Sequence, residues 1–374
     1  MSHSALSENA LQTLADQIKV WGKEMGFQAI GITDVELGEH EARLQDWLDK
    51  GLHGDLDYMA QHGSKRSHPE ELIPGTFRVI SARLDYLTVE ARETVSREDT
   101  NHARISRYAM GRDYHKLIRK RLSRLAEKIE AATQQLSNES TSPNQFRAFV
   151  DSAPVLERAL AEKAGLGWIG KNTMLMSREA GSYFFIGEIY TNLPLPIDTP
   201  DDKNHCGKCT ACLDVCPTQA FVSPYVLDAK KCISYLTIEL KGNIPEELRP
   251  AIGNRIFGCD DCQSSCPWNR FAKPTDELDF QPRHGLNTAQ LIDLFNWSEE
   301  EFLDRTAGSA IRRSGYEGWL RNIAVALGNA PHRKSVVEAL QQRLEYPSKI
   351  VQEHVQWALG QHPAVIASDT KQPL

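Results

Sequence analysis

The spacing of apolar and polar residues predicts a mixed α/β arrangement over residues 1–200. Apolar residues recur at helical spacing from Leu11 to Met25 and again from Tyr114 to Gln135, where the opposite face is basic. Apolar runs of strand length alternate with these helices. The predicted strands are Ala29–Thr33, Arg78–Leu87, Phe146–Val150 and Ser182–Tyr190, and a third helix is predicted from Val155 to Ala164. Helices interleaved with strands are typical of an α/β domain.

The last part of the chain has a helical pattern that repeats. From about Thr288 onward, Arg321–Asn329 matches Glu353–Gln361 in the order of its apolar residues, and Val336–Leu344 supplies a helix between the two. Helices with a recurring apolar stripe predict a short all-α, HEAT-like repeat domain at residues 288–365. Ordinary helix pairs are the alternative interpretation. The polar residues 366–374 are expected to form a disordered tail.

Composition narrows the class of protein. The chain has 374 residues, too many for one ordinary core, and it is 41% hydrophobic and 25% charged, as globular proteins are. It has no apolar run near the roughly 20 residues of a membrane helix and no signal peptide at Met1–Ala10. We therefore expect a cytoplasmic protein without structural disulfides. A formal charge of −7 argues against coating a long polyanion, but it is compatible with one local basic face.

The eight cysteines carry the strongest chemical signal. All of them lie between Cys206 and Cys266, within a segment that we place at residues 201–287. The first set is CxxCxxCxxxCP, the bacterial ferredoxin run, whose fourth cysteine serves the other cluster. The second set repeats it with a long insertion after Cys232. The spacing therefore predicts a ferredoxin-like module with two [4Fe–4S] clusters and crossed ligands: Cys206, Cys209, Cys212 and Cys266 for cluster one, and Cys216, Cys232, Cys259 and Cys262 for cluster two.

Two alternatives accompany this prediction. Four-cysteine zinc sites usually show two separated CxxC pairs rather than the ferredoxin run, so zinc is disfavoured. A non-catalytic two-cluster electron carrier is the second alternative. A carrier would need far fewer residues than the chain supplies on either side of the cysteines, so we expect an oxidoreductase that passes electrons to a bound cofactor or substrate.

Several short motifs, together with both cysteine sets, form a specific combined pattern. They are Leu56–Met59, Pro74-Gly75, Ile105–Ala109, Gly111–His115, Val150–Pro154, Glu157-Arg158, Gly165–Thr173, Gly187-Glu188 and Cys266–Asn269. With these motifs the chain resembles the epoxyqueuosine reductase family of queuosine biosynthesis over most of its length. The resemblance implies reduction of epoxyqueuosine to queuosine at the wobble position of a tRNA anticodon.

The resemblance also implies cofactors and partners that spacing could not show. It implies cobalamin (vitamin B12) in the N-terminal α/β domain, the two clusters beside it, and a C-terminal HEAT-like domain that helps to hold tRNA. An external low-potential donor of the flavodoxin or ferredoxin type would supply electrons. The remaining rival is a corrinoid and iron–sulfur reductase of a small molecule, similar to dehalogenases, which would not need a basic helical-repeat domain.

The resemblance assigns Asp151 as the proton donor. Asp151 follows the predicted strand Phe146–Val150, at the kind of strand end where α/β folds place their sites. To hold a proton near neutrality, its pKa would have to be raised by burial. Asp151 or Ser152 would otherwise cap the helix that starts near Val155, and the two roles are compatible. The residues expected to contact cobalamin are Arg66, Tyr108, Asp151, Lys171, Asn172, Ser234 and Asp260.

Two basic groups are candidates for tRNA phosphate contacts. The first lies along one predicted helix and comprises Arg112, His115, Lys116, Arg119, Lys120, Arg121 and Arg124. The second lies in the C-terminal part and comprises Arg305, Arg312, Arg313, Arg321, Arg333 and Lys334. Solvated helix faces also carry such runs of charge, so these groups are candidates only.

Overall fold

The computed structural model describes residues 6–92, 99–136, 144–201 and 205–363. Up to residue 201 the helices and strands are α1 Glu8–Glu24, β1 Ala29–Thr33, α2 Gly38–Asp49, α3 Pro69–Leu72, β2 Arg78–Asp85, α4 Val89–Arg92, β3 Arg104–Ile105, α5 Tyr114–Leu136, β4 Phe146–Phe149, α6 Glu157–Lys163, β5 Trp168–Ile169, β6 Leu175–Met176 and β7 Phe184–Thr191.

The cysteine segment and the C-terminal part continue the series, with short 3-10 helices between the elements. They contain α7 Ala211–Asp214, β8 Phe221–Ser223, β9 Val226–Leu227, α8 Ile233–Ile238, α9 Arg249–Ile252, β10 Arg255–Phe257, α10 Asp261–Ser264, α11 Leu291–Phe295, α12 Glu299–Arg305, α13 Gly315–Gly328, α14 Lys334–Gln341 and α15 Lys349–Gly360. The mixed α/β class expected from the sequence is confirmed, as are its three N-terminal helices and four main strands.

One four-stranded sheet organises the N-terminal part, in the order β1-β2-β7-β4. Every neighbouring pair in it is antiparallel. The rule that sites gather at strand ends applies to parallel sheets, so it gives no support to Asp151 here. Asp151 nevertheless follows β4 directly, as the sequence predicted.

Helices cover both faces of this sheet. On one face α1 and α5 pack through apolar side chains such as Ile18 and Leu122, both fully buried against the strands. A Cβ atom at Gly187 of β7 would come within 2.8 Å of Leu122 and 2.9 Å of Ile118, so glycine permits the close approach of α5. On the other face α6 packs against β2 and β7 and places its first residue, Glu157, beside the Asp151 loop.

The cysteine segment is tied to both flanking parts of the chain. The parallel pair β3–β10 joins it to the N-terminal part. On the other side, Arg321 of α13 is buried and donates hydrogen bonds to the backbone carbonyls of Leu236 and Leu240, at the end of α8. Its neighbour Asn322 bonds the carbonyls of Thr237 and Ile256. Helix α13 therefore holds the backbone that carries Cys232.

From Leu291 onward the described residues form helices α11–α15, of which α13 and α15 pack closely together. These two helices contain the matching stretches of the sequence repeat, and the paired residues Ile323 and Val355 are both fully buried. The HEAT-like assignment stays a prediction. The expected tail at 366–374 lies outside the described residues. No helix within the described ranges is long and apolar enough to span a membrane.

Candidate active site

The eight cysteines are free thiols that form two groups of four. In the first group, burial and then the neighbouring thiols of Cys266 and Cys206 raise the pKa of Cys212 to about 11. Cys266 in turn lies close to Cys206 and Cys209. The short helices α7 and α10, one from each motif, pack side by side and bring Cys266 to the first motif. This group has the membership predicted for cluster one.

The second group lines a cavity. Cys216, Cys232, Cys259 and Cys262 all contribute to the wall of one cavity of about 350 Å³. Burial and then Asp261 raise the pKa of Cys259 to about 12. Burial, then Cys259 and Cys232, raise the pKa of Cys262 well above its usual value. These are the four cysteines predicted for cluster two.

The chemistry of both groups fits cubane clusters. Buried thiols with raised pKa values are neutral, and iron would have to displace their protons and hold them as thiolates. Each cysteine of a [4Fe–4S] cube binds a different iron, so the sulfur atoms lie farther apart than the ligands of a single ion. Within the described ranges, no group of three or more His, Cys, Asp or Glu side chains is arranged to hold a single metal ion.

Aromatic side chains form part of the remaining cavity wall, beside polar and aliphatic ones. The ring of Tyr114 stacks on that of Phe185 with centroids 3.9 Å apart, and Tyr108 meets both rings edge-on. Polar side chains are interspersed with the aromatic ones, as in sites for organic cofactors. Among them are Asn172, whose side-chain amide donates to the carbonyl oxygen of Cys262 at 3.4 Å, and Ser234 beside Cys232.

The structure separates the residues expected to contact cobalamin into two sets. Tyr108, Asn172 and Ser234 line the cavity. Two others are held elsewhere, since Arg66 is buried and donates to the carbonyl oxygen of Tyr58 and Lys171 donates to the carbonyl oxygens of Gly207 and Cys209 in the loop of cluster one.

Asp260 also lies outside the cavity wall. It is buried and accepts hydrogen bonds from the hydroxyl of Ser106 and from the backbone and side chain of Arg107. Its neighbour Asp261 lines the cavity instead. Asp260 therefore orders the loop before α10 rather than facing the cavity.

Asp151 reaches the cavity through Tyr114. The Tyr114 hydroxyl donates to Oδ2 of Asp151 at 2.5 Å, and Nε2 of His115 lies 3.2 Å from the same oxygen. Nδ1 of His115 is bonded to Asp113 at 2.6 Å. The side chain of Asp151 is 56% exposed, and it contacts the cavity wall through Tyr114.

The electrostatics around Asp151 differ from the expectation. Partial burial pushes the pKa of Asp151 upward, but the hydrogen bonds from His115 and Tyr114 outweigh it, and the net shift is downward. Burial alone would lower the pKa of His115, yet its bonds to Asp113 and Asp151 raise that pKa to about 9. At neutral pH the proton of this group therefore resides on His115 and the negative charge on Asp151.

Sequence reasoning missed the roles of Tyr114 and His115. The sequence pattern places His115 on the basic face, whereas in the structure this side chain contacts Asp151. The only sequence signal was the Gly111–His115 motif, which places Asp113 two residues before the histidine. Spacing could not show that these residues meet Asp151, because they lie on a different element of the fold.

The structure leaves only some residues of the two predicted basic groups exposed to solvent. Lys116, Arg119, Lys120 and Arg124 of α5 are exposed, whereas Arg121 is half-buried in an ion pair with Glu277. In the second group Arg312, Arg333 and Lys334 are exposed. Arg305 and Arg313 pair with Glu301 and Glu239, and the buried Arg321 is removed from the group because a buried guanidinium cannot contact a phosphate backbone.

Two family models match the chain. Residues 66–152 match the model described as epoxyqueuosine reductase QueG, DUF1730, and residues 205–269 match the 4Fe-4S double cluster binding domain. The first covers the segment from Arg66 to the Asp151 loop, and the second covers all eight cysteines.

Whole-chain relatives agree with these models. An epoxyqueuosine reductase of Pseudomonas aeruginosa is 64% identical over 349 residues, which cover 93% of this chain and 94% of the relative. A crystal structure of epoxyqueuosine reductase with a tRNA-Tyr epoxyqueuosine-modified tRNA stem loop has a TM-score of 0.84 and 29% identity, covering 93% and 90% of the two chains. A Bacillus subtilis epoxyqueuosine reductase, with its catalytic aspartate loop swung out of the active site, has a TM-score of 0.83 and 28% identity with the same coverage.

The fold and the two cysteine groups define an iron–sulfur redox protein of mixed α/β class, with a double-cluster domain set against an aromatic cavity. The 64% sequence identity to the Pseudomonas aeruginosa relative, over nearly the whole chain, then identifies the family. This chain belongs to the epoxyqueuosine reductase family.

Proposed function

We propose that this protein reduces epoxyqueuosine to queuosine at the wobble position of a tRNA anticodon. The observation that carries the proposal is the position of Asp151 and Tyr114 at a cavity whose wall includes the four cysteines of cluster two. Reduction of an epoxide needs electrons on one side of the substrate and a proton on the other, and this cavity offers both. The stem-loop complex of the structural relative supports tRNA as the substrate.

The electron count fits two clusters. Conversion of the epoxide to an alkene consumes two electrons and two protons and releases the oxygen atom as water. Each [4Fe–4S] cluster passes one electron at a time. Cluster two lines the cavity, while cluster one includes Cys209, which is exposed. We infer that electrons enter from an external low-potential donor at cluster one and leave through cluster two.

We also propose that the cavity binds cobalamin. Its aromatic walls, formed by residues such as Phe184 and Phe185, suit a large flat ring, and Tyr108, Asn172 and Ser234 could bond the amide side chains of the ring. Bound cobalamin would supply a metal centre that can store two electrons for attack on epoxide carbon. Asp151 would lie at the edge of this site rather than in its wall.

The proton for the opening epoxide comes from the pair that Asp151 forms with His115. Asp151 is ionised in the resting arrangement, so it cannot act as the acid alone. His115 is protonated, and its Nε2 lies 3.2 Å from Oδ2 of Asp151. As negative charge develops on the substrate oxygen beside Asp151, the proton can pass from His115 to the carboxyl group and on to the substrate. Tyr114 keeps the carboxyl group oriented.

Exposed basic residues in two parts of the chain would bind tRNA. We propose the division into residues 1–200 for catalysis, 201–287 for the clusters and 288–365 for a HEAT-like domain. Support comes from the packing of α13 against α15, which carry the sequence repeat. The exposed basic residues Lys116 and Lys120 of α5 would contact phosphates, as would Arg333 and Lys334 beyond the cysteine segment.

The proposal is tested by anaerobic turnover of tRNA that carries epoxyqueuosine. The iron-loaded protein is incubated with this tRNA and a chemical reductant, with and without added cobalamin, and the released nucleosides are identified by mass spectrometry. We expect queuosine only when cobalamin and reductant are both present. Unchanged epoxyqueuosine in the complete mixture would overturn the function, and full conversion without any corrinoid would overturn the cofactor assignment.

A further inference from the structure

Two motifs of the sequence, Glu157-Arg158 and Gly187-Glu188, meet behind Asp151. Glu157 is the first residue of α6, and Glu188 lies in the middle of β7 with none of its surface exposed. In the sheet Glu188 is directly opposite Phe149, which precedes Asp151 by two residues along the chain. A carboxyl group is thus buried in the sheet beneath the loop that carries the proposed acid.

The Glu188 carboxyl group has an unusual environment. Neither of its oxygens accepts a hydrogen bond from an N–H or O–H group anywhere in the described ranges. Its polar neighbour is the carboxyl group of Glu157, which lies within bonding reach. Two carboxyl groups can bond only when one of them carries a proton. Burial, then Glu157, raise the pKa of Glu188 well above its usual value, so Glu188 is protonated and does not repel Glu157.

Glu157 in turn holds the backbone of Asp151. Its Oε1 accepts a hydrogen bond from the Asp151 amide at 2.5 Å. Asp151 adopts a φ of 53°, a left-handed conformation that costs energy for a residue with a Cβ atom and persists only when its surroundings enforce it. The bond to Glu157 is a contact that can enforce it. Burial, then the charge of Asp151, raise the pKa of Glu157 to about 8.

We propose that Glu157 is a positioning residue that fixes the Asp151 loop in its working position by accepting the Asp151 amide hydrogen. It touches neither the cavity nor the basic face, and it acts only through Asp151. The proposal rests on the role of Asp151 in the proposed function. The Bacillus subtilis relative, with its catalytic loop swung out of the active site, shows a second loop position in a protein of the same family.

Two substitutions separate this role from a purely structural one. Glu157→Gln keeps an oxygen that accepts from Asp151 and gains an amide that can bond Glu188, so kcat should stay close to that of the wild type. Glu157→Leu removes the acceptor, and kcat should fall about 10-fold to 100-fold, the size expected for a displaced catalytic group. KM for tRNA should not change, because the phosphate contacts remain.

Hydrogen exchange provides a readout that does not depend on turnover. In the full-length protein the Asp151 amide should exchange faster in Glu157→Leu than in the wild type, and Glu157→Gln should match the wild type. Glu301→Leu is the matched control, since it removes another carboxylate-to-amide bond, from Ser298 to Glu301 at 3.0 Å, far from the loop. Should Glu157→Leu not fold, Glu157→Ala takes its place.

The outcomes are distinguishable. A wild-type protein that does not convert epoxyqueuosine would refute the proposed function, while the exchange measurement would still test the loop. Equal kcat and equal exchange in Glu157→Leu and the wild type would overturn the positioning role. A Glu157→Gln variant as slow as Glu157→Leu would overturn it too, because the charge rather than the accepted hydrogen bond would then matter.

Discussion

Arg119 donates a hydrogen bond from Nη2 to the hydroxyl oxygen of Ser152 at 3.1 Å. This contact joins the basic face of α5 to the loop that carries Asp151. A phosphate backbone lying along that face would pass next to the Asp151 loop. In the proposed function, this contact would link binding of tRNA on α5 to the position of the Asp151 loop.

The first prediction concerns this basic face. Lys116→Ala combined with Lys120→Ala should weaken tRNA binding and lower the slope of log affinity against log salt by roughly 0.7–0.9 per lost phosphate contact. Binding titrations at several salt concentrations measure both quantities. Lys128→Ala is the matched control on the same helix, because Lys128 is paired with Glu24 at 3.0 Å. An unchanged slope in the double variant would exclude this face from the tRNA site.

The second prediction concerns His115. The pKa of His115 is raised to about 9 in the folded protein, so its proton is present at neutral pH and is lost as the pH rises through that value. The stability that this charge contributes is complete below the unfolded pKa of about 6.5 and disappears as the pH rises through the folded pKa. The rate of epoxide reduction should fall over the same range above neutrality.

His115→Gln keeps a hydrogen-bond donor but not the titrating charge. The variant should reduce epoxyqueuosine at least 10-fold or so more slowly at neutral pH, as loss of a proton source predicts. Its pH–rate profile should lack the decline near pH 9 that the wild type shows. A variant that keeps this decline would assign it to another group.

The third prediction concerns the crossed ligands. Cys216→Ala should remove one cluster and leave about four of the eight irons that two [4Fe–4S] clusters contain. Adding Cys232→Ala should remove no further iron, because the two cysteines share cluster two. Adding Cys206→Ala instead should remove the rest. Anaerobic iron and sulfide analysis measures the cluster content of each variant. If adding Cys206→Ala removed no further iron and adding Cys232→Ala removed the rest, the ligands would not cross.

The fourth prediction concerns Glu188. Because the folded-state pKa of this carboxyl group is raised, its contribution to stability is complete below the unfolded pKa and is lost progressively as the pH rises above about 4.3. Glu188→Gln mimics the protonated acid and does not titrate. The free energy of unfolding of the variant should therefore rise relative to that of the wild type between pH 5 and pH 8, by at most about 1.4 kcal/mol per pH unit. Thermal unfolding at several pH values measures this difference. A constant difference across this range would show that Glu188 is ionised in the fold.

The sequence predicted the helices and strands well because their apolar periods are local. It did not predict the antiparallel order of the sheet, since strand pairing depends on contacts between distant parts of the chain. The partners of Asp151 were missed for the same reason. Tyr114 and His115 begin α5, whereas Asp151 follows β4, and only the folded sheet brings them together.

Arg321 shows a second limit of prediction from the sequence. An arginine in a helix with charged neighbours is usually exposed, and the pattern placed it in the second basic group. In the fold its guanidinium satisfies three backbone carbonyls near the end of α8, those of Leu236, Leu240 and Gly242. Burial of a charge is tolerated where such acceptors surround it. The acceptors come from a segment about 80 residues away, so helix periodicity could not show them.

The most direct test of the account is a single-turnover experiment with Asp151→Asn. Asparagine preserves the size of the side chain and can still bond Tyr114, but it cannot pass a proton from His115 to the substrate. With both clusters and cobalamin loaded, the variant should bind epoxyqueuosine-containing tRNA as the wild type does and form queuosine about 10²–10⁴-fold more slowly. The helix-cap role that the sequence also allowed for Asp151 is wrong, because the N-cap of α6 is Leu156 and no side chain caps it. A loss of rate in Asp151→Asn would therefore not reflect a lost cap, and without a chemical role for Asp151 the change should cost little. Conversion at the wild-type rate by Asp151→Asn would contradict the proposed mechanism.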